Sequence, residues 1–342
     1  MRLLIVGGSW FVGREIVSAA ISQGAEVTVF NRGRSGCVLP GVDFVQGDWE
    51  NQEDLSRLAE HGPWDAVLDV AGSVPAVVRD VARALAPVTR RYAFMSTISA
   101  YRDWPYEPVS EASPVWAGDP DHDPGTRQWD PDAYGPLKAG CETAIQREFG
   151  DEVLTIRPHV VLGPYEYVGR LPWWLRRTAR GGRVLAPAPA ERGFQPVDVR
   201  DLAEFTVDRV IQGDTGVFNV ASPIDRDSYG DFLAACAEVT GSSAEFVWVD
   251  EQWLVEQGVV QWTELPLWRA LPTAWSMDTH RAQAAGFRAR PLLDTVHDTW
   301  AWLEAGGRPV EHERFAEHGI DSLREERLLA EWEQVNSRLR AP

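Results

Sequence analysis

A chain of 342 residues, 44% hydrophobic and 25% charged, has the composition of a folded protein large enough for one broad domain or two smaller ones. Its 51 acidic residues outnumber 33 basic ones, giving a net charge of −18, which repels phosphate backbones and argues against a nucleic-acid partner. No apolar run reaches the ~18 residues of a membrane helix, so no membrane partner is expected. The three scattered cysteines, Cys37, Cys141 and Cys236, lack metal-ligand spacing and read as reduced thiols of a cytoplasmic protein without a metal.

The chain opens on an apolar strand at 2–6, so no secretory leader is expected. Short apolar runs predict further strands at 26–30, 42–46, 65–70, 91–95 and 153–157. Helical periodicity lies between them at 11–23, 51–60, 74–86 and 132–149. This alternation predicts an α/β fold, a Rossmann-like doubly wound parallel sheet that binds its ligand at the carboxyl ends of the strands. Residues 102–133 break the rhythm with Pro, Asp and three tryptophans (Trp104, Trp116, Trp129), which predicts an ordered lid. After 165 the pattern loosens. Helices at 171–180, 199–212, 228–240, 278–286 and 292–305, with a strand at 216–220, predict a smaller C-terminal α/β substrate lobe. Leu323, Leu328, Leu329 and Trp332 mark a helical cap within 310–340. The expected organisation is a dinucleotide-binding domain over 1–165, with 193–222 returning to it, and a mainly substrate-binding lobe over 166–342.

The first strand–helix junction reads VGGSWFVG (6–13). Gly7 allows a tight turn and Gly13 lets the helix pack closely on the sheet, but Trp10 stands where a middle glycine would let backbone approach a pyrophosphate. Helix-start N–H groups still bind anions, so Gly7, Ser9, Trp10, Phe11 and Gly13 form the expected phosphate cradle. The second strand ends in Asn31-Arg32, where an NAD site would carry an acid for the ribose 2′-hydroxyl. Arginine there suits a 2′-phosphate, so NADP(H) is favoured over NAD(H).

Tyr134 stands four residues before Lys138, the one lysine of the chain. That spacing puts both side chains on one helix face, where the ammonium group lowers the phenol's pKa for proton transfer. Upstream, Ser96 and Thr97 end the fifth strand. Thr97 is the first choice, and Ser96 the second, for a hydroxyl that hydrogen-bonds the substrate oxygen.

Together these features resemble the short-chain dehydrogenase/reductase superfamily, in its extended or atypical branch with the NAD-dependent epimerase/dehydratase proteins. The resemblance rests on the Gly-rich turn, Asp48 after Val45-Gln-Gly, the Ser-Thr strand end and Tyr-x-x-x-Lys. It continues through Arg157-Pro-His-Val-Val-Leu-Gly163-Pro164 and Gln195-Pro-Val-Asp198-Val-Arg-Asp201-Leu-Ala. It implies that Thr97, Tyr134 and Lys138 are the catalytic triad, with Lys138 also on the cofactor ribose, that Asp48 contacts the adenine and that Trp49 lies at the cofactor. Val70, Ala71 and Gly72 would line the cofactor, joined by Pro158 and Val160. Candidates for the substrate side are Ser99, Trp104, His159, Arg170, Trp173 and Trp174. A homodimer through the helices flanking the sheet is a further expectation of the resemblance.

Three functions compete: an NADP(H)-dependent oxidoreductase acting on a small polar molecule, sugar-like or a secondary metabolite; an NAD-dependent nucleotide-sugar epimerase; and a non-catalytic nucleotide- or RNA-binding relative. Ile98-Ser99 follows Thr97 where dehydratases of the family place an acid pair, which weakens the dehydratase reading.

Overall fold

The structure, a computed structural model, describes residues 1–34, 40–309 and 318–339. Cys37 and residues 310–317 of the expected cap lie outside the described residues. Two compact units are present. One comprises 1–161, 195–223 and 276–289; the other comprises 162–194, 224–275 and 290–342. The segment 276–289, read from its periodicity as part of the lobe, therefore belongs with the sheet.

The first unit is built on β1 (Arg2–Val6), β2 (Glu26–Asn31), β3 (Asp43–Gln46), β4 (Trp64–Asp69), β5 (Thr89–Met95), β6 (Val153–Pro158) and the strand Gly216–Val220. All pair in parallel, in the order Gly216–Val220, β6, β5, β4, β1, β2, β3. The order reverses between β1 and β4, which opens the crevice at their carboxyl ends.

Alternation along β1 shows why both faces are covered. Leu3 and Ile5 face a core completed by Ile16, Val17 and Ala20 of α1 (Phe11–Ser22) and by Leu202 and Phe205 of the helix Val199–Gln212. Leu4 and Val6 face the opposite core, completed by Leu55 and Leu58 of α2 (Gln52–Glu60) and Val78, Val81 and Leu85 of α3 (Pro75–Leu85). Cys141 and Ile145 of α4 (Pro131–Phe149) close that side. Successive strand residues point to opposite faces, so an unbroken apolar run is what a doubly covered strand requires.

The second unit packs the helices Arg170–Ala179, Tyr229–Thr240 and Leu292–Glu304 together and carries a two-stranded parallel ladder, Arg183–Pro187 with Glu245–Val249. Its interior is aromatic: Trp174, Phe194, Tyr229, Phe232 and Trp275 form a chain of ring contacts. Glu325 anchors the C-terminal helix Ser322–Leu339 by accepting from Arg177 Nε at 2.7 Å and the Leu185 amide at 3.1 Å. Among the described residues no helix is long and apolar enough to cross a membrane.

Candidate active site

The Gly-rich turn solves its packing with a different glycine from the one the spacing suggested. Gly7 (φ 105°) and Gly8 (φ 86°) both take left-handed backbone that side chains resist. A Cβ at Gly13 would lie 2.8 Å from the Gly8 amide nitrogen, so Gly8 and Gly13 meet backbone to backbone. Trp10 is extended (φ −124°, ψ 145°), a conformation open to any residue, and its side chain is 41% exposed. Position 10 therefore has no need of glycine. The first turn of α1 carries no acidic side chain, so no negative charge in that turn opposes a pyrophosphate at the positive end of the helix dipole.

Asn31, at the end of β2, is hydrogen-bonded within the protein. Its Nδ2 donates to Gly7 O (2.9 Å) and its Oδ1 accepts from Gly33 N (2.8 Å), so the buried amide stitches the Gly-rich turn to the end of β2. The guanidinium of Arg32 lies over the Trp49 indole, 4.6 Å from its centroid. Asp48 accepts from Glu50 N through Oδ1, while its own amide donates to Asp54.

Trp49, Ala71, Gly72, Val77, Val78 and Arg127 are among the residues lining a cleft beside these strand ends. Gly7 packs against Val70 and Ala71, and its Cβ would fall 2.8 Å from Val70. Asp69 closes β4 fully buried, accepting from Ala71 N (2.9 Å), Gly72 N (2.8 Å) and Tyr92 OH (2.9 Å). Burial raises its carboxyl above the usual range, against the pull of these donors.

Asp130 caps α4 by accepting from Asp132 N and Ala133 N, and Pro131 opens the helix. Tyr134 follows in the first turn, its ring 4.9 Å from that of Trp129. Lys138 is 5% exposed; its ammonium donates at 2.7 Å to Gly72 O and at 2.7 Å to Met95 O, above the Phe94 ring. Desolvation lowers its pKa. Thr97 Oγ1 accepts from Ser99 N at 3.2 Å, and Ser99 O lies so close to Gly135 that a Cβ there would be 2.3 Å away. The helix bearing Tyr134 and Lys138 is thus pressed onto the end of β5 that bears Thr97.

Ser96 is committed elsewhere: its hydroxyl donates to Glu142. Glu142 also accepts from Arg157 Nε (2.9 Å) and Nη2 (2.5 Å), and Arg157 lies over the Tyr101 ring. Tyr101 OH reaches Asn219 Oδ1 at 2.7 Å. The motif search missed Glu142, although it extends the Tyr134–Lys138 spacing by four more residues.

His159 is buried and accepts from Val160 N at Nδ1 (2.7 Å), which places its ring proton on Nε2; its ring meets Trp104 edge-on at 6.0 Å. Pro158 closes β6 opposite Val220, and Val160 is buried, its carbonyl accepting from Val197 N. The remaining substrate candidates sit in the second unit as internal supports. Arg170 is buried, and its Nε donates to Glu166 at 3.0 Å. Trp174 is wholly buried and donates to Pro266 O at 2.6 Å, and Trp173 packs edge-on against it. Trp174 is thus part of the core of this unit, and Trp173 is half-buried beside it.

Residues 3–112 match the family model described as NAD dependent epimerase/dehydratase family. A curated relative, the chloroplast stem-loop binding protein of 41 kDa b from Arabidopsis thaliana, is 26% identical over 216 residues, 59% of this chain and 53% of that protein. The chain thus spans about half the length of that relative. Among solved structures, the Bordetella bronchiseptica enzyme WbmH in complex with NAD+ is similar with a TM-score of 0.68 at 20% identity, over 90% of this chain and 99% of that one. UDP-glucose 4-epimerase with UDP-glucose from Thermotoga maritima is similar with a TM-score of 0.66 at 19% identity, over 90% and 99%. At these identities the likeness to solved structures establishes the fold.

Proposed function

We propose that this chain, whose residues 3–112 match the NAD dependent epimerase/dehydratase family, is an NADP(H)-dependent oxidoreductase of the short-chain dehydrogenase/reductase type. Its substrate is a small polar molecule, sugar-like or a secondary metabolite, altered at a carbonyl or alcohol carbon. The observation that carries this reading is the placement of Lys138: the one lysine of the chain is buried where β4 and β5 end, on the helix face of Tyr134.

The glycine cradle and an α1 start without acidic side chains suit a pyrophosphate, and Trp49 and Val78 offer apolar surface to a flat base. When bound, the cofactor supplies a hydride donor or acceptor at its nicotinamide ring. Tyr134 gives or takes the proton of the substrate oxygen. Thr97 hydrogen-bonds that oxygen, since its Oγ1 accepts from Ser99 N and keeps its proton to donate. Lys138 favours the phenolate of Tyr134 electrostatically and retains one N–H beyond its two carbonyl partners for a ribose hydroxyl. Arg32 on Trp49, with no acid at the end of β2, supports the 2′-phosphate preference.

A second reading, a nucleotide-sugar epimerase with retained NAD, draws support from the fold shared with UDP-glucose 4-epimerase. The stem-loop binding named for the plant relative is disfavoured by the net charge of −18. Parallel titrations with NADPH and NADH, read by energy transfer from tryptophan to the reduced nicotinamide, test these readings. Tight NADPH with weak NADH supports the proposal. NADH preference, or dinucleotide retained through purification, favours the epimerase. Binding of neither overturns the enzyme reading.

A further inference from the structure

The insertion between Thr97 and Tyr134 is fastened at two places and latched at a third. Its middle lies on α3 and α4: Gly118 abuts the Gly140 backbone, Asp121 pairs with Arg79 (2.7 Å) and Arg147 (3.1 Å), and His122 O accepts from Ala76 N. Its end is Asp130, the cap of α4. Between these points Arg127 reaches back to the β3–α2 connection, donating from Nη2 and Nε to the two oxygens of Glu50 at 2.9 and 3.2 Å. Nη1 bonds Asp123 at 2.9 Å, which aims the guanidinium fork from its own side. Arg127 and Glu50 both line the cleft that holds Trp49, Val77 and Val78.

The cleft is lined by the Trp49 indole and by branched aliphatic side chains of α3, surfaces that suit a flat heteroaromatic base. The pair that joins its rims is open to solvent, with side chains 41% and 38% exposed. An exposed ion pair is a weak, rapidly broken link. Such a contact is too weak for a permanent wall and suits a catch that opens and recloses.

We propose that Arg127 and Glu50 form an ionic catch that closes the insertion over the adenine half of the dinucleotide and sets the rate at which cofactor leaves. The inference rests on the cofactor reading given above and adds the kinetic control of that site. The catch grips the protein across the base rather than the base itself, so it acts on release more than on capture.

The test is stopped-flow release of NADPH, displaced by excess NADP+, from the wild type and from Arg127→Ala, Glu50→Gln and the double variant. Each single variant is expected to release about two- to fivefold faster, the range an exposed pair provides, with the double variant no faster than either. Salt should speed release from the wild type by a larger factor than from the variants. ADP, which carries only the adenine half, should lose affinity in the variants by the same factor, while reduced nicotinamide mononucleotide should not. Wild-type release rates in variants that still bind NADPH overturn the catch and leave the cofactor reading standing. Failure of the wild type to bind either dinucleotide overturns both.

Discussion

Glu142 takes two hydrogen bonds from Arg157, and the pair sits beneath the strand ends that carry Thr97 and His159. Their side chains are only 12% and 6% exposed, so the two charges depend on each other. Removing one leaves the other buried and unpaired, at a cost of about 3–5 kcal/mol. Arg157→Met and Glu142→Ala are therefore expected to lower the urea midpoint strongly. The double variant Glu142→Leu/Arg157→Met should recover much of the loss. Equal midpoints for single and wild-type proteins would show that the pair is dispensable.

The Gly-rich turn makes two opposite demands on neighbouring positions. Gly13→Ala forces a methyl group to 2.8 Å from backbone at Gly8 and should abolish dinucleotide binding. Trp10→Gly touches a residue already extended, so the fold should survive and NADPH affinity should stay within about threefold, less than one 1.4 kcal/mol decade. Titration of both variants checks this, and a collapse of binding in Trp10→Gly would make the indole itself a ligand.

Tyr134→Phe removes the proposed acid/base hydroxyl and leaves the cradle intact. Turnover on any carbonyl or alcohol substrate found by screening should fall by about 10²–10⁴-fold, the usual worth of a positioned proton donor. NADPH affinity should remain nearly unchanged. Unaltered turnover would remove Tyr134 from the chemistry.

Arg32→Ala should weaken NADPH by about tenfold or more and NADH far less, because a charge-assisted contact to a phosphate is worth roughly 1.5–3 kcal/mol. Equal losses for both dinucleotides would place the 2′-phosphate elsewhere.

Burial pushes the Cys141 thiol up to about 12 from an ordinary value of 9.0. An acid whose folded pKa exceeds its unfolded one contributes stability that is complete below the unfolded pKa. That stability is lost as pH rises through the folded pKa. Between pH 9 and about 12 the wild type should lose about 1.4 kcal/mol per pH unit more than Cys141→Ala. Urea unfolding across that window measures the difference; parallel curves would mean the thiol ionises freely in the fold.

The sheet was legible in the sequence because each strand, covered on both faces, reads as an apolar run bounded by amphipathic helices. Tyr134 and Lys138 stand out in the sequence because groups that share one helix face obey local spacing, and the structure puts the Lys138 ammonium on the carbonyls of Gly72 and Met95. Gly8 escaped notice because the motif was counted in steps of three, and a glycine judged by spacing hides one judged by contact. Asn31 carries a side chain suited to a ribose, and only its bonds to Gly7 and Gly33 show it holding the turn. Arg127 and Glu50 lie 77 residues apart, and no periodicity relates them. Trp173 and Trp174 looked like binding surface because indoles serve cores and ligands alike.

Having a single lysine, held at the bottom of the site, has a practical corollary. Lys138 is the one side-chain amine in the sequence, and it is shielded and donating to two carbonyls. Acylation of Lys138 is thus a clock for the opening of this region. Its rate can be read in one peptide by mass spectrometry, against an added lysine peptide as an internal standard.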